Sequence, residues 1–169
     1  MERLNRPPAF KWARPEGATD LVRPDCFETD RLRILTVTWN IAGKSPNPQE
    51  INDLLFPRDV HHDLYAVGSQ EALSSIMGSI FKPSKAAMNQ MIHESLGLTE
   101  FAMVGSVSLQ ATHLCVFAHV RLIPLITKVS SDTVATGWGS MMGNKGAVKL
   151  EFTIAGKKFV FISAHMHSG

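Results

Sequence analysis

Arg31-Leu32-Arg33-Ile34-Leu35-Thr36-Val37-Thr38-Trp39-Asn40 is rich in apolar and β-branched residues and ends on a small polar amide. Such a run reads as a strand that enters a core and surfaces at its last residue. Three more apolar stretches do the same. Leu64–Val67 runs into Gln70-Glu71, and the stretch ending near Thr133–Ala135 leads to Gly143-Asn144-Lys145-Gly146. The last, Phe159–Ser163, leads to His165-Met166-His167-Ser168-Gly169. Strand ends that deliver an amide, a carboxylate, a lysine and an imidazole suggest one site gathered from distant positions. The end of the chain at Gly169 leads us to expect that this site is incomplete.

Between these landmarks the periodicity changes. Gln49–Phe56 predicts a short helix stopped by Pro57, and Asp63–Val67 a buried strand. Lys85–Leu96 sets Met88, Met91, Ile92 and Leu96 at helical spacing, with Gly97 placed to end the helix. Strand signals then crowd together at Phe101–Leu109, His113–Val120, Leu122–Lys128, Gly146–Ile154 and Lys158–Ala164. Lys149, Glu151 and Thr153 alternate with Val148, Leu150, Phe152 and Ile154, so one face is wet and the other dry. Ala155-Gly156 supplies the hairpin turn. The expected class is α+β, with antiparallel hairpins following an early strand–helix–strand passage. Residues 1–30 carry four of the nine prolines and read as an extension or linker, with the domain occupying 31–169.

Composition narrows the function classes. Apolar residues make up 44% and charged ones 19%, as in ordinary globular proteins. A net charge of +2 supplies no electrostatic pull toward nucleic acid, so no nucleic-acid partner is expected. No apolar run approaches the roughly 20 residues of a membrane helix, and the first residues lack a secretory h-region. Cys26 and Cys115 form no metal or redox spacing, and Cys115 reads as a buried, reduced thiol. The expected location is cytoplasmic, with peripheral association at membranes.

Each polar cluster has a plain reading beside a chemical one. Glu71 is either a surface acid opening the next segment or a ligand for a hard cation such as Mg²⁺, which takes one or two carboxylates and leaves room for water and phosphate. Asn40 is a turn residue, or an amide that orients or joins a metal ligand. Gly143-Asn144-Lys145-Gly146 is a glycine-rich turn, or an anion nest whose lysine faces phosphate. His165 and His167 lie two apart and share a face if extended. No third ligand accompanies them, so a single imidazole on a phosphoryl oxygen is better motivated than a zinc pair. GxSxG and Walker-type signatures are absent, which makes water the nucleophile.

In this order the clusters resemble the inositol polyphosphate 5-phosphatases. Arg33–Gly43 is similar to that family's first motif, Gly68-Ser69-Gln70-Glu71 to its metal-carboxylate segment, and Leu109–His119 to its middle strand passage. Gly143-Asn144-Lys145-Gly146-Ala147-Val148 and Ser163-Ala164-His165-Met166 resemble its glycine-Asn-Lys-glycine and histidine motifs. The resemblance implies a DNase I-like four-layer sandwich. This chain would supply its N-terminal half as one mixed, largely antiparallel sheet with flanking helices, leaving exposed the face meant for a second sheet.

The resemblance further implies that Glu71 binds Mg²⁺ with Asn40 assisting, as metal ligand or catalytic amide. Asn144 and Lys145 would hold substrate phosphates, and His165 would contact the scissile phosphoryl group. The substrates would be inositol phosphates or phosphoinositide headgroups that lose a 5-phosphate. Ser69 stands where the family carries a larger apolar residue, and His167-Ser168 replaces a small apolar pair. The family's Gly-Asp-x-Asn, Trp-Cys-Asp-Arg and Asp-His segments do not occur in this sequence, so the chain by itself is expected to be inactive. A catalytically dead half-domain serving as a binding or regulatory module is the alternative, and a DNase I-like nuclease a more distant one.

Overall fold

The computed structural model describes residues 31–44, 46–57, 60–71, 85–136 and 145–166. The proposed extension 1–30, Asn144, His167 and Cys26 lie outside the described residues. The elements run β1 (Ile34–Asn40), α1 (Pro48–Leu55), β2 (Leu64–Gln70), α2 (Lys85–Leu96), β3 (Phe101–Leu109) and β4 (Thr112–His119). A 3₁₀ segment (Val120–Leu125) leads on to β5 (Ile126–Ala135), β6 (Gly146–Ile154) and β7 (Lys157–His165).

The strands form two sheets, where the sequence had suggested one. Sheet 1 has the order β1-β2-β4-β3 and sheet 2 the order β5-β6-β7. The pairing of β1 with β2 is parallel, and every other pairing is antiparallel. The division falls at Val120–Leu125, across the junction of two runs that read as strands, His113–Val120 and Leu122–Lys128. Pro124 has no N–H for a ladder, and Leu122 is buried under the turn. The chain therefore leaves sheet 1 and starts sheet 2 at Ile126.

Residue patterning explains the layers. All of β2 is buried, because its two faces serve different cores. Tyr65 and Val67 face α1 and α2 with Ile51, Leu55, Met88, Ile92, Leu96 and Phe117. Leu64 and Ala66 face sheet 2 with Leu114, Val116, Val148, Leu150 and Phe152. A strand covered on both sides shows a continuous apolar run, whereas β6 alternates because its outer face meets solvent. The helices are fixed locally. Asn47 accepts from the Glu50 N–H and Glu50 accepts from the Asn47 N–H, each at 2.9 Å, a capping box with Pro48 beginning α1. Gly97 ends α2 at φ +97° with its N–H on the His93 carbonyl.

The inner face of sheet 1 is thus largely covered by sheet 2. The exception is β1, whose inward residues Thr36, Thr38 and Asn40 are exposed because sheet 2 stops at β7. A groove of about 100 Å³ follows this overhang, lined by Thr36, Thr38, Gly68, Phe161 and Ser163. On the outer side of sheet 2, Val134, Val160 and Ile162 are exposed and no described helix covers them.

Candidate phosphate and metal site

Strand register brings the predicted residues to one end of the sandwich. Parallel pairing of Asn40 with Gln70 sets Asn40 beside the residue that precedes Glu71. Antiparallel pairing of Gly146 with His165 sets Lys145 over His165. Gly146 is required there, since at φ +145° a Cβ would lie 2.1 Å from the Val134 carbonyl oxygen.

Asn40 donates from Nδ2 to Glu71 Oε1 at 2.7 Å, while its Oδ1 accepts the Ala42 N–H at 2.9 Å. Asn40 thus makes the turn and at the same time holds the Glu71 carboxylate. Glu71 ends its strand at φ +56°, and its carbonyl accepts the Gly43 N–H, which ties the two chain reversals to each other. Four other non-glycine residues share this left-handed region, among them Gln110 and Ala155 in hairpin turns.

On sheet 2, Lys145 Nζ lies 2.7 Å from His165 Nε2. An ammonium has no acceptor, so Nε2 accepts and the imidazole proton sits on Nδ1. That Nδ1 is buried and meets no partner among the described residues. His165 Nε2 also stands 3.9 Å from Glu71 Oε1, which sets the two halves of the site close together across the sheets without a hydrogen bond between them. The order Asn40–Glu71–His165–Lys145 alternates neutral amide, carboxylate, imidazole and ammonium. Asn144, between Gly143 and Lys145, lies outside the described residues.

The donor set suits a hard cation. Glu71 offers carboxylate oxygens, and its side chain is 44% exposed, enough to admit a hydrated ion. Among the described residues there is no group of three or more His, Cys, Asp or Glu side chains that would cage a metal. Any cation here would keep several sites for water and substrate.

Three residues that the sequence shows only as neighbours of these side chains complete the arrangement. Gln70 Nε2 donates to Thr38 Oγ1 at 3.1 Å and to Ser163 Oγ at 3.2 Å. Gln70 and Ser163 are buried, and they join the sheets directly beneath the site. Gly68 makes that approach feasible, since a Cβ there would come within 2.8 Å of Ser163 Oγ.

His113 belongs elsewhere. It lies on the helix side of sheet 1, where its Nδ1 faces Ser108 Oγ at 2.7 Å and its Nε2 faces Asn89 Oδ1 at 2.8 Å. Burial, and then the charge of Lys85, push its pKa down to about 4, so it serves as a neutral strut between α2 and the sheet. Burial also raises the Cys115 thiol to about 12, which makes it an inert core residue. No described helix is long and apolar enough to cross a membrane.

Comparison with known proteins fits this geometry. The chain is 30% identical over 153 residues to phosphatidylinositol 4,5-bisphosphate 5-phosphatase A of Mus musculus, a match covering 85% of this chain and 15% of that protein. Among solved structures it resembles the inositol polyphosphate 5-phosphatase domain of SPsynaptojanin, crystallised with inositol (1,4)-bisphosphate and calcium ion. That likeness has a TM-score of 0.63 at 23% identity over 82% of this chain and 41% of the other. A Cimex nitrophorin in its ferrous NO complex is as similar in fold, with TM-score 0.63 and 20% identity over 80% of this chain and 47% of that one. The chain therefore spans well under two thirds of each of these proteins. The sequence model of the endonuclease/exonuclease/phosphatase family 2 matches residues 37–169, and the chain belongs to that family.

Proposed function

We propose that this chain carries the metal and phosphate half of a phosphomonoesterase site that removes the 5-phosphate from inositol polyphosphates or phosphoinositides. The observation that carries the proposal is the meeting of Asn40–Glu71 from sheet 1 with Lys145–His165 from sheet 2 at 3.9 Å. The fold alone does not favour this reading, since a nitrophorin shares it; the arrangement of the site supports it. The name of the Mus musculus relative supplies the substrate class.

In this mechanism Glu71 would hold Mg²⁺, with Asn40 fixing the carboxylate's orientation. When bound, the ion would supply charge neutralisation on the phosphoryl oxygens. Lys145, with Asn144 beside it in sequence, takes a substrate phosphate. As the Lys145 ammonium turns to a phosphate oxygen, His165 Nε2 is released, and once it takes a proton from water the imidazole presents an N–H to the scissile phosphoryl group. Water attacks phosphorus in line and the inositol oxygen leaves. The chain lacks the Gly-Asp-x-Asn aspartate that would take the water's proton, so it binds without turning over. Peripheral contact with membranes follows if the headgroup substrate is a lipid.

Phosphate release from a soluble inositol trisphosphate with Mg²⁺ tests this. The chain alone is expected to release none, whereas a form extended to carry the aspartate should be active. In that form His165→Ala should cost about 10²-fold or more. Robust turnover by the chain alone would overturn the role given to the aspartate. An active longer form indifferent to His165→Ala would overturn the assignment of the site.

A further inference from the structure

Beneath the site lies a buried polar hub that the proposed chemistry does not use. One carboxamide, Gln70 Nε2, donates to two hydroxyls on different strands: Thr38 Oγ1 at 3.1 Å and Ser163 Oγ at 3.2 Å. Each partner stands two residues before a site residue on its own strand. Thr38 precedes Asn40 on β1, and Ser163 precedes His165 on β7. Gln70 itself immediately precedes Glu71. Residues two apart on a strand project to the same face, so whatever fixes Thr38 and Ser163 also fixes the direction of Asn40 and His165.

We propose that Gln70 is a positioning residue, a clamp between the sheets that sets His165 against Glu71. The proposal rests on the site assignment above and extends it one layer inward. No ladder hydrogen bond joins the two sheets, because β1 and β2 belong to one and β7 to the other. Apolar packing resists separation of the sheets but is non-directional, and it tolerates sliding that directed hydrogen bonds do not. Gln70 and Ser163 are 8% and 5% exposed, so water offers them little alternative pairing. Gly68, one pleat away, has no Cβ to hold the strands apart. A slide of about 1 Å at such a site is enough to impair chemistry.

The test is long-range ¹H–¹⁵N NMR of the histidine rings in this chain at one fixed pH, without substrate. In the wild type, His165 should show the Nδ1–H form with Nε2 accepting from Lys145. His113, on the opposite face of sheet 1, should show Nε2–H. Gln70→Leu is expected to lose the His165 pattern, its two nitrogen shifts converging toward those of mixed tautomers, while His113 is unchanged. Ser163→Ala, which deletes one oxygen, should move His165 the same way by a smaller amount, and Ser163→Thr should restore the wild-type pattern.

The double variant Gln70→Leu/Ser163→Ala removes the stranded hydroxyl as well. It should melt higher than Gln70→Leu and still lack the His165 pattern, a separation that a merely structural role would not produce. A wild-type His165 pattern in folded Gln70→Leu or Ser163→Ala would overturn the clamp. Should Gln70→Leu fail to fold, Ser163→Ala alone decides. These spectra need no turnover, so a phosphatase assay that failed would leave the clamp standing, and the reverse.

Discussion

His113 shows how one buried side chain sets a pH response. Its pKa lies at about 4 in the fold, against an ordinary value of 6.5, chiefly because burial disfavours the charged ring. Between those values the unfolded chain takes up a proton that the folded chain refuses. The stabilisation is therefore whole above about pH 6.5 and is lost as pH falls toward about 4, by at most about 3 kcal/mol. Urea denaturation followed from about pH 7 down to about pH 4 should show this slope. His113→Gln, which keeps hydrogen-bonding groups but has no such proton to gain, should flatten it. His62 and His119 are also lowered, mainly by burial, and contribute a residual slope of the same sign. Glu71 makes a different point about single residues. Because it sits at φ +56°, the usual preference for alanine over glycine reverses there. Glu71→Gly should be more stable than Glu71→Ala by about 1 kcal/mol, read as a higher melting temperature.

At the scale of elements, the contact of β2 with β7 is the sensitive one. Gly68→Val would put branched carbons where Ser163 now lies, forcing the strands apart at a cost of about 1–3 kcal/mol. A thermal melt should record that loss, and the Gln70–Ser163 bond should break with it. Elements whose signals are local could be read directly in the sequence. The bounds of Lys85–Leu96, Phe101–Leu109 and Gly146–Ile154 are those the periodicity gives. Val120–Leu125 misled because its apolar residues look like a strand, while Pro124 and the burial of Leu122 decide for a turn. The division into two sheets was hidden for the same reason, since strand pairing depends on partners far along the chain. The outer polar residues of the site were legible as strand-end clusters. The bond between Gln70 and Ser163 was not, for these residues lie 93 positions apart and only the packed sheets bring them together.

The whole molecule is three described layers: helices, sheet 1 and sheet 2. Among the described residues strand β7 pairs only with β6, and beside that open edge Val160 and Ile162 are 45% and 64% exposed. An open edge flanked by apolar side chains invites strand-to-strand association. Ile162→Lys should reduce concentration-dependent association, measured by light scattering, and leave the helix content unchanged. The two sheets also follow each other along the chain, sheet 1 from residues 34–119 and sheet 2 from 126–165. A nascent chain can thus complete the first sheet before the second has been synthesised. Until β7 docks, Glu71 waits without its imidazole, so the candidate site exists only once the second sheet has packed on the first. The Glu71–His165 contact then reports that assembly has finished.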